Sequence, residues 1–337
     1  MKRILIFLML ILSVACNDKR KNFDRGIIPP VPVNFSEVNS AYDDYNSDLP
    51  IIWNWKSFSL IFSTNRKSFG NDFDFIGYNC EIESDLVTGE FSLRTDSRNF
   101  SMVDSINSPN NELGPYFTHD LEYLRYTYKA SDAGRFFYTT DINGNNDIYF
   151  TYYTSIDYDF LPSGDPAELT GLNTGFNEGY LTIHYGESAN RETVYFTSDR
   201  DGTYDIYRAV SEENKLIDQS SGLTVSKVGQ LSSSADDKCP YINGNMMVFT
   251  SDREGGFGGF DLWYSLNNGQ GWSVPVNFGE NINSEYDEYR PIIVSTYREG
   301  FLNDMMIFSS NRPGGKGLFD LYYVGITHRN GMQYPPD

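Results

Sequence analysis

Apolar and polar positions alternate along this chain in short bursts, and the bursts return in the same order five times. Leu60-Ile61-Phe62-Ser63-Thr64-Asn65-Arg66 is followed by Asp72-Phe73-Asp74-Phe75. Phe136-Phe137-Tyr138-Thr139-Thr140-Asp141 is followed by Asp147-Ile148-Tyr149, and Val194-Tyr195-Phe196-Thr197-Ser198-Asp199-Arg200 by Asp205-Ile206-Tyr207. Met247-Val248-Phe249-Thr250-Ser251-Asp252-Arg253 precedes Asp261-Leu262-Trp263-Tyr264, and Met306-Ile307-Phe308-Ser309-Ser310-Asn311-Arg312 precedes Asp320-Leu321-Tyr322-Tyr323. Two β-branched and aromatic runs around a polar, Gly-containing turn predict a β-hairpin. Recurrence over several tens of residues predicts a repeat architecture.

Upstream of each hairpin lies a further short run: Pro50-Ile51-Ile52, Pro115-Tyr116-Phe117, Leu181-Thr182-Ile183, Pro240-Tyr241-Ile242 and Pro291-Ile292-Ile293. Pro is tolerated at the first residue of a strand. Downstream, Trp272-Ser273-Val274-Pro275-Val276 supplies a fourth strand in at least one repeat. Four strands per unit, repeated radially, predict an all-β propeller. Five hairpins predict five blades, with a sixth, degenerate blade within 81–107 left open. Val31-Pro32-Val33-Asn34-Phe35 matches Val274-Pro275-Val276-Asn277-Phe278, and the last hairpin is followed by only a fragment of a repeat. The N-terminal strand is therefore expected to complete the last blade and close the ring, removing exposed edges.

The chain begins Met1-Lys2-Arg3, runs apolar from Ile4 to Leu12, and continues Ser13-Val14-Ala15-Cys16. A short apolar stretch behind positive charge reads as a signal peptide, too short to span a bilayer. It resembles a bacterial lipoprotein signal, which implies cleavage before Cys16 and lipid on its thiol. The expected organisation is a signal peptide over 1–15, a lipidated tether over 16–30 and one propeller domain over 31–337.

The formal net charge of −20 argues against nucleic acid as a partner. Cys80 and Cys239 fall in different repeats and are read as free thiols. His119, His184 and His328 lack metal-ligand spacing. No cofactor and no metal is expected.

The pattern Phe-Ser/Thr-Ser-Asp/Asn-Arg-x-Gly followed by Asp-Ile/Leu-Tyr resembles the TolB-like propeller repeats of bacterial envelope proteins. Blades four and five, with Gly255-Gly256 and Pro313-Gly314-Gly315, resemble the version found in Bacteroidetes-type outer-membrane proteins. Blade two departs, with Ile142 where the others have Arg66, Arg200, Arg253 and Arg312. The resemblance implies a periplasm-facing outer-membrane lipoprotein whose propeller docks other envelope proteins without catalysis.

One carboxylate precedes the first strand of every repeat: Asp44, Glu112, Glu178, Asp237 and Glu288. These five are the candidate binding residues at the channel mouth, against the plainer reading that each holds a turn or pairs with a repeat arginine as an inter-blade tie. Two other functions stay open, a carbohydrate- or ligand-binding surface lipoprotein and a five-bladed glycosidase or lyase. Aromatic clustering at one channel mouth would favour carbohydrate. A facing pair of carboxylates found in one blade alone would favour hydrolysis.

Overall fold

The computed structural model describes residues 22–49, 52–54, 56–118, 133–156, 159–184, 191–297 and 300–327. Five antiparallel sheets follow one another along the chain, each entered from its innermost strand. Blade one is Asp44–Asp48, Ser57–Thr64, Asp74–Ser84 and Phe91–Arg98. Blade two is Glu112–Thr118, Ala133–Thr140, Asp147–Ile156 and Asp159–Pro162. Blade three is Glu178–His184, Thr193–Ser198, Asp205–Val210 and Thr224–Lys227. Blade four is Asp237–Asn243, Met246–Ser251, Asp261–Leu266 and Val276–Asn277. Blade five is Glu288–Val294, Asn303–Ser310 and Asp320–Thr327, and its outer strand is the N-terminal Val33–Asn34. Each inner strand packs against the inner strands of both neighbouring blades, and blade five returns to blade one. The protein is thus a closed five-bladed propeller; the interval in which a sixth blade was open holds the outer strand of blade one and a short helix, Ser101–Ile106.

Closure runs in antiparallel register, Val33 opposite Tyr323 and Asn34 opposite Tyr322. The chain ahead of this strand also packs down: Gly26 bridges to Phe301, and Ile28 is fully buried in the core shared by blades one and five. The boundary expected at residue 30 therefore falls inside a stretch that already touches the propeller. Cys16 lies outside the described residues. Cys80 and Cys239 are free and buried.

Two details of the repeat differ from expectation. In blade one the residues equivalent to Pro115-Tyr116-Phe117 are Ser47-Asp48-Leu49, three positions after Asp44, and Pro50 and Ile51 lie outside the described residues. In blade four the outer strand is only Val276–Asn277. Trp272 keeps a single antiparallel bridge to Asn267, its ring packs edge-on against Tyr195 of blade three, and its indole N–H donates to the Tyr195 hydroxyl at 3.0 Å.

Every inner strand carries the same irregularity. Its third residue stands in the left-handed region: Asn46 (φ 58°), Gly114 (54°), Tyr180 (57°), Cys239 (55°) and Arg290 (47°). Pairing with the second strand shifts register at that point in all five blades. Left-handed backbone is costly for Tyr, Cys and Arg. What offsets it is a sideways bond: the displaced N–H donates to a hydroxyl of the preceding blade. Asn46 donates to Ser309, Tyr180 to Thr139, Cys239 to Thr197 and Arg290 to Thr250. The bulge trades an intra-blade ladder bond for an inter-blade one, and it points the third side chain into the axis.

Candidate functional site

The five repeated carboxylates sit where each inner strand begins, and all are at most 1% exposed. Their oxygens are consumed locally. Each accepts the N–H of the residue four positions earlier, Ser40, Ser108, Thr174, Ser233 or Ser284. In four blades a guanidinium completes the set: Arg66 on Asp44, Arg200 on Glu178, Arg253 on Asp237 and Arg312 on Glu288. The same arginines reach the carbonyls of Val38, Leu172, Leu231 and Ile282. Acid and arginine belong to one blade, so each tie locks the hairpin to the loop that enters that blade. The geometry leaves none of the five carboxylates open to the mouth.

What faces the mouth is the next position of the inner strands, together with the residue just ahead of each third strand. Tyr45 lies 4.7 Å from Phe73 and 6.0 Å from Phe319, centroid to centroid. Tyr289 meets Phe260 edge-on at 5.6 Å and Tyr180 at 6.4 Å. The Lys238 ammonium stands 4.1 Å from the Tyr204 ring and 4.8 Å from the Phe260 ring. All these side chains are half-buried. Seven aromatic rings and one ammonium thus form an arc over blades three, four, five and one. On the side of blades two and three the same positions are Leu113, Asn146 and Gly179, which carry no ring.

Below the arc the axis is filled. Arg290 is fully buried and spans the ring, donating to the Pro240 carbonyl of blade four at 3.2 Å and the Pro115 carbonyl of blade two at 3.1 Å. Its guanidinium also lies 5.7 Å from the Tyr180 ring. Asp48, further along the blade-one strand, accepts the Phe117 N–H at 2.7 Å; burial pushes its carboxyl up to about 6, against the pull of Arg290. Burial also raises the Tyr45, Tyr180 and Tyr289 hydroxyls and pushes the Cys239 thiol up to about 12. The hydroxyls therefore stay protonated at neutral pH, as hydrogen-bond donors lining a closed floor. Arg290 thus plugs the axis below the arc.

The rim carries a second repeated joint, made by the residue just ahead of each buried acid. Its side chain accepts the N–H that opens the third strand of the preceding blade: Asp43 from Phe319, Asn111 from Phe73, Asn177 from Asn146, Asp236 from Tyr204 and Asp287 from Phe260. The same residue meets the tip of its own hairpin. In four blades that meeting pairs one acid with one amide: Asp43 with Asn65, Asn111 with Asp141, Asn177 with Asp199, and Asp287 with Asn311. Blade four breaks the pattern. Asp236 meets Asp252, joined by the Asp236 N–H to the Asp252 carboxylate at 2.8 Å. Lys238 sits on Asp236 at 3.0 Å. Two carboxylates and an ammonium between aromatic rings therefore occur at one place on a fivefold frame. Sequence reasoning passed over this pair, although the exchange of Asn for Asp at the two joint positions is visible in the repeats.

No known protein-family profile matches the sequence, and no curated protein matches it either. Solved structures do match in fold. The endo-arabinase of Bacteroides thetaiotaomicron superposes over 89% of this chain and 99% of its own, with a TM-score of 0.55 at 11% identity. The α-L-arabinofuranosidase of Podospora anserina gives a TM-score of 0.51 at 11% identity, covering 92% of this chain and 99% of its own. The β-fructofuranosidase of Schwanniomyces occidentalis gives 0.58 at 13%, covering 91% of this chain and 61% of that longer one. At such identities the likeness shows the fold. It also corrects the expectations drawn from the TolB-like resemblance: no profile or relative supports that kinship, and these matching propellers are named as glycoside-cleaving enzymes. The readings of a non-catalytic docking module and of a protein that is no enzyme fall with it.

Proposed function

We propose that this protein is a carbohydrate-active propeller that takes a glycan at the aromatic mouth and cleaves a glycosidic bond with the Asp236 and Asp252 carboxylates. The observation that carries the reading is the break in fivefold symmetry at blade four, where two acids meet on the rim and one of them carries the Lys238 ammonium that stands against two rings of the arc. Half-buried aromatic faces suit the apolar faces of sugar rings, and tyrosine hydroxyls suit their hydroxyl groups. Glycoside hydrolysis needs two carboxyl groups, one to protonate the leaving oxygen and one to act as base or nucleophile. The two roles fall to Asp236, which carries the Lys238 ammonium at 3.0 Å, and to Asp252, which is open to solvent. The matching glycoside hydrolases support the reading by their shared architecture. Delivery to the outer membrane through lipid on Cys16 remains part of the proposal, since the signal-like N-terminus motivates it.

The test is a screen of oligosaccharides, including arabinan and fructan fragments, for binding and for release of reducing ends. The reading expects hydrolysis that Asp236→Asn and Asp252→Asn each reduce by at least ~100-fold, the scale of lost general acid–base catalysis, while binding persists. Hydrolysis that survives both changes would sink the catalytic assignment.

A further inference from the structure

Four blades build the same cradle for a guanidinium. In blade three the Arg200 guanidinium lies 5.4 Å from the Phe196 ring and 4.9 Å from the Tyr207 ring, on the Glu178 carboxylate and the Leu172 carbonyl. Blade five repeats this with Arg312, Phe308, Tyr322, Glu288 and the Ile282 carbonyl. Blade four does the same around Arg253, and in blade one Arg66 lies over the Phe62 ring, donates to the Tyr78 hydroxyl, and meets Asp44 and the Val38 carbonyl.

Blade two retains the cradle and lacks the cation. Its carboxylate is Glu112, 1% exposed. Its rings are Tyr138 and Tyr149, 6.1 Å apart, against 6.0 Å for both Phe196–Tyr207 and Phe308–Tyr322. Its carbonyl is that of Ile106, two residues ahead of Ser108 as Leu172 is ahead of Thr174. At the arginine position stands Ile142, whose side chain is 53% exposed and turned out to solvent. Asn143 does not fill the space, because it bonds Asp147 and the Tyr149 hydroxyl, as Asp201 bonds Tyr207 in blade three. Among the described residues Glu112 has no cationic partner; Ser108 alone bonds it, and the charges bearing on it are Asp74 and Asp141, both negative. Burial accordingly pushes its carboxyl up to about 7. A buried carboxylate prepared for a cation and left without one is an unmet electrostatic demand.

We propose that the blade-two cradle of Glu112, Tyr138, Tyr149 and the Ile106 carbonyl receives a guanidinium group supplied from outside the chain. The four occupied cradles define the chemistry: a planar cation that faces two rings in three blades and one ring in blade one, pairs with a carboxylate and donates to a carbonyl. This inference is independent of the glycan reading.

The test titrates the full chain with arginine amide, following blade-two resonances by NMR, and repeats the titration with a short peptide carrying one arginine. Both probes are expected to bind the parent. Ile142→Arg, which supplies the missing cation from within, and Glu112→Gln, which removes the charge, should each weaken binding by at least ~10-fold, the scale of a charged hydrogen bond lost. Binding should also weaken about 10-fold from pH 8 to pH 6, as Glu112 takes up its proton. A peptide at least ~10-fold tighter than the amide assigns the group to a polypeptide partner, and equal affinities assign it to a small guanidine. Ile142→Arg carries the test alone should Glu112→Gln fail to fold. The same affinity in Ile142→Arg as in the parent, or no binding to the parent, would overturn the proposal.

Discussion

The Asp252 carboxylate accepts the backbone N–H of Asp236 at 2.8 Å, and neither side chain is an amide. At the same joint in the other blades an Asn side chain donates to the facing acid. The unlike pair in those blades is a hydrogen bond; the like pair in blade four is a repulsion that stability alone would not select. Asp252→Asn should therefore install the bond its sister blades possess and raise stability by about 0.5–1.5 kcal/mol, while hydrolysis is lost. Chemical denaturation beside an activity assay checks both halves. A loss of stability would show that the two acids are held by contacts other than those at the joint.

Arg290 is the strut across the axis, and its two bonds to main-chain carbonyls join blades two, four and five. Arg290→Met keeps much of the volume and removes the charge. It should cost about 2–4 kcal/mol, measured by urea denaturation, and push the Asp48 carboxyl further up, because its one neighbouring positive charge is gone. A variant as stable as the parent would mean that tyrosine packing alone closes the floor.

Glu112 and Asp48 contribute to the pH response, together with Asp74, Asp147 and Glu288, whose carboxyls burial also raises. Burial raises the Glu112 and Asp48 carboxyls above their unfolded values, to about 7 and about 6. For such groups the folded state binds the proton more tightly. Their contribution is full at low pH and is lost as pH rises from about 4 through 6 for Asp48, and from about 4.5 through 7 for Glu112. Glu112→Gln should flatten this slope and gain roughly 1–2 kcal/mol over the parent at pH 8, with little difference at pH 4.5. Melting curves at the two pH values decide it; an identical pH slope in both proteins would contradict the account.

The sequence made much of the fold legible and little of the site. Five hairpins, their inner strands and the closing match of Val33–Asn34 to Val276–Asn277 were readable because each repeat must bury the same face. The register of blade one was misread at Pro50, because proline marks the position in three other blades and Ser47 carries no such mark. The bulge was invisible for a physical reason: Tyr180, Cys239 and Arg290 are residue types that local preference keeps out of left-handed backbone, and only the neighbouring blade's hydroxyl makes it tenable. The aromatic mouth was hidden among strand aromatics, since Tyr45 and Tyr289 read as ordinary inner-strand positions. The carboxylates that recur in every blade are scaffold, each held by the loop that enters its blade. The informative feature, the pairing of Asp236 with Asp252, differs from each sister pair by a single amide.

Closure by the N-terminal strand has its own test. Deleting residues through Asn34 removes the outer strand of blade five and takes Ile28 from the shared core. The edge of the Asp320–Thr327 strand is then unpaired, and the shortened protein should aggregate or lose its single cooperative unfolding transition. Retained cooperativity, seen by calorimetry, would show that the ring closes without it.

Whether the aromatic mouth takes a glycan is decided by saturation-transfer NMR of an oligosaccharide panel against the parent, Tyr289→Ala and Phe260→Ala. The account predicts that at least one neutral glycan binds the parent and that each substitution weakens it by about 10-fold or more, the scale of a lost ring contact. No binding by any member of the panel, or binding that both alanine variants leave unchanged, would contradict it.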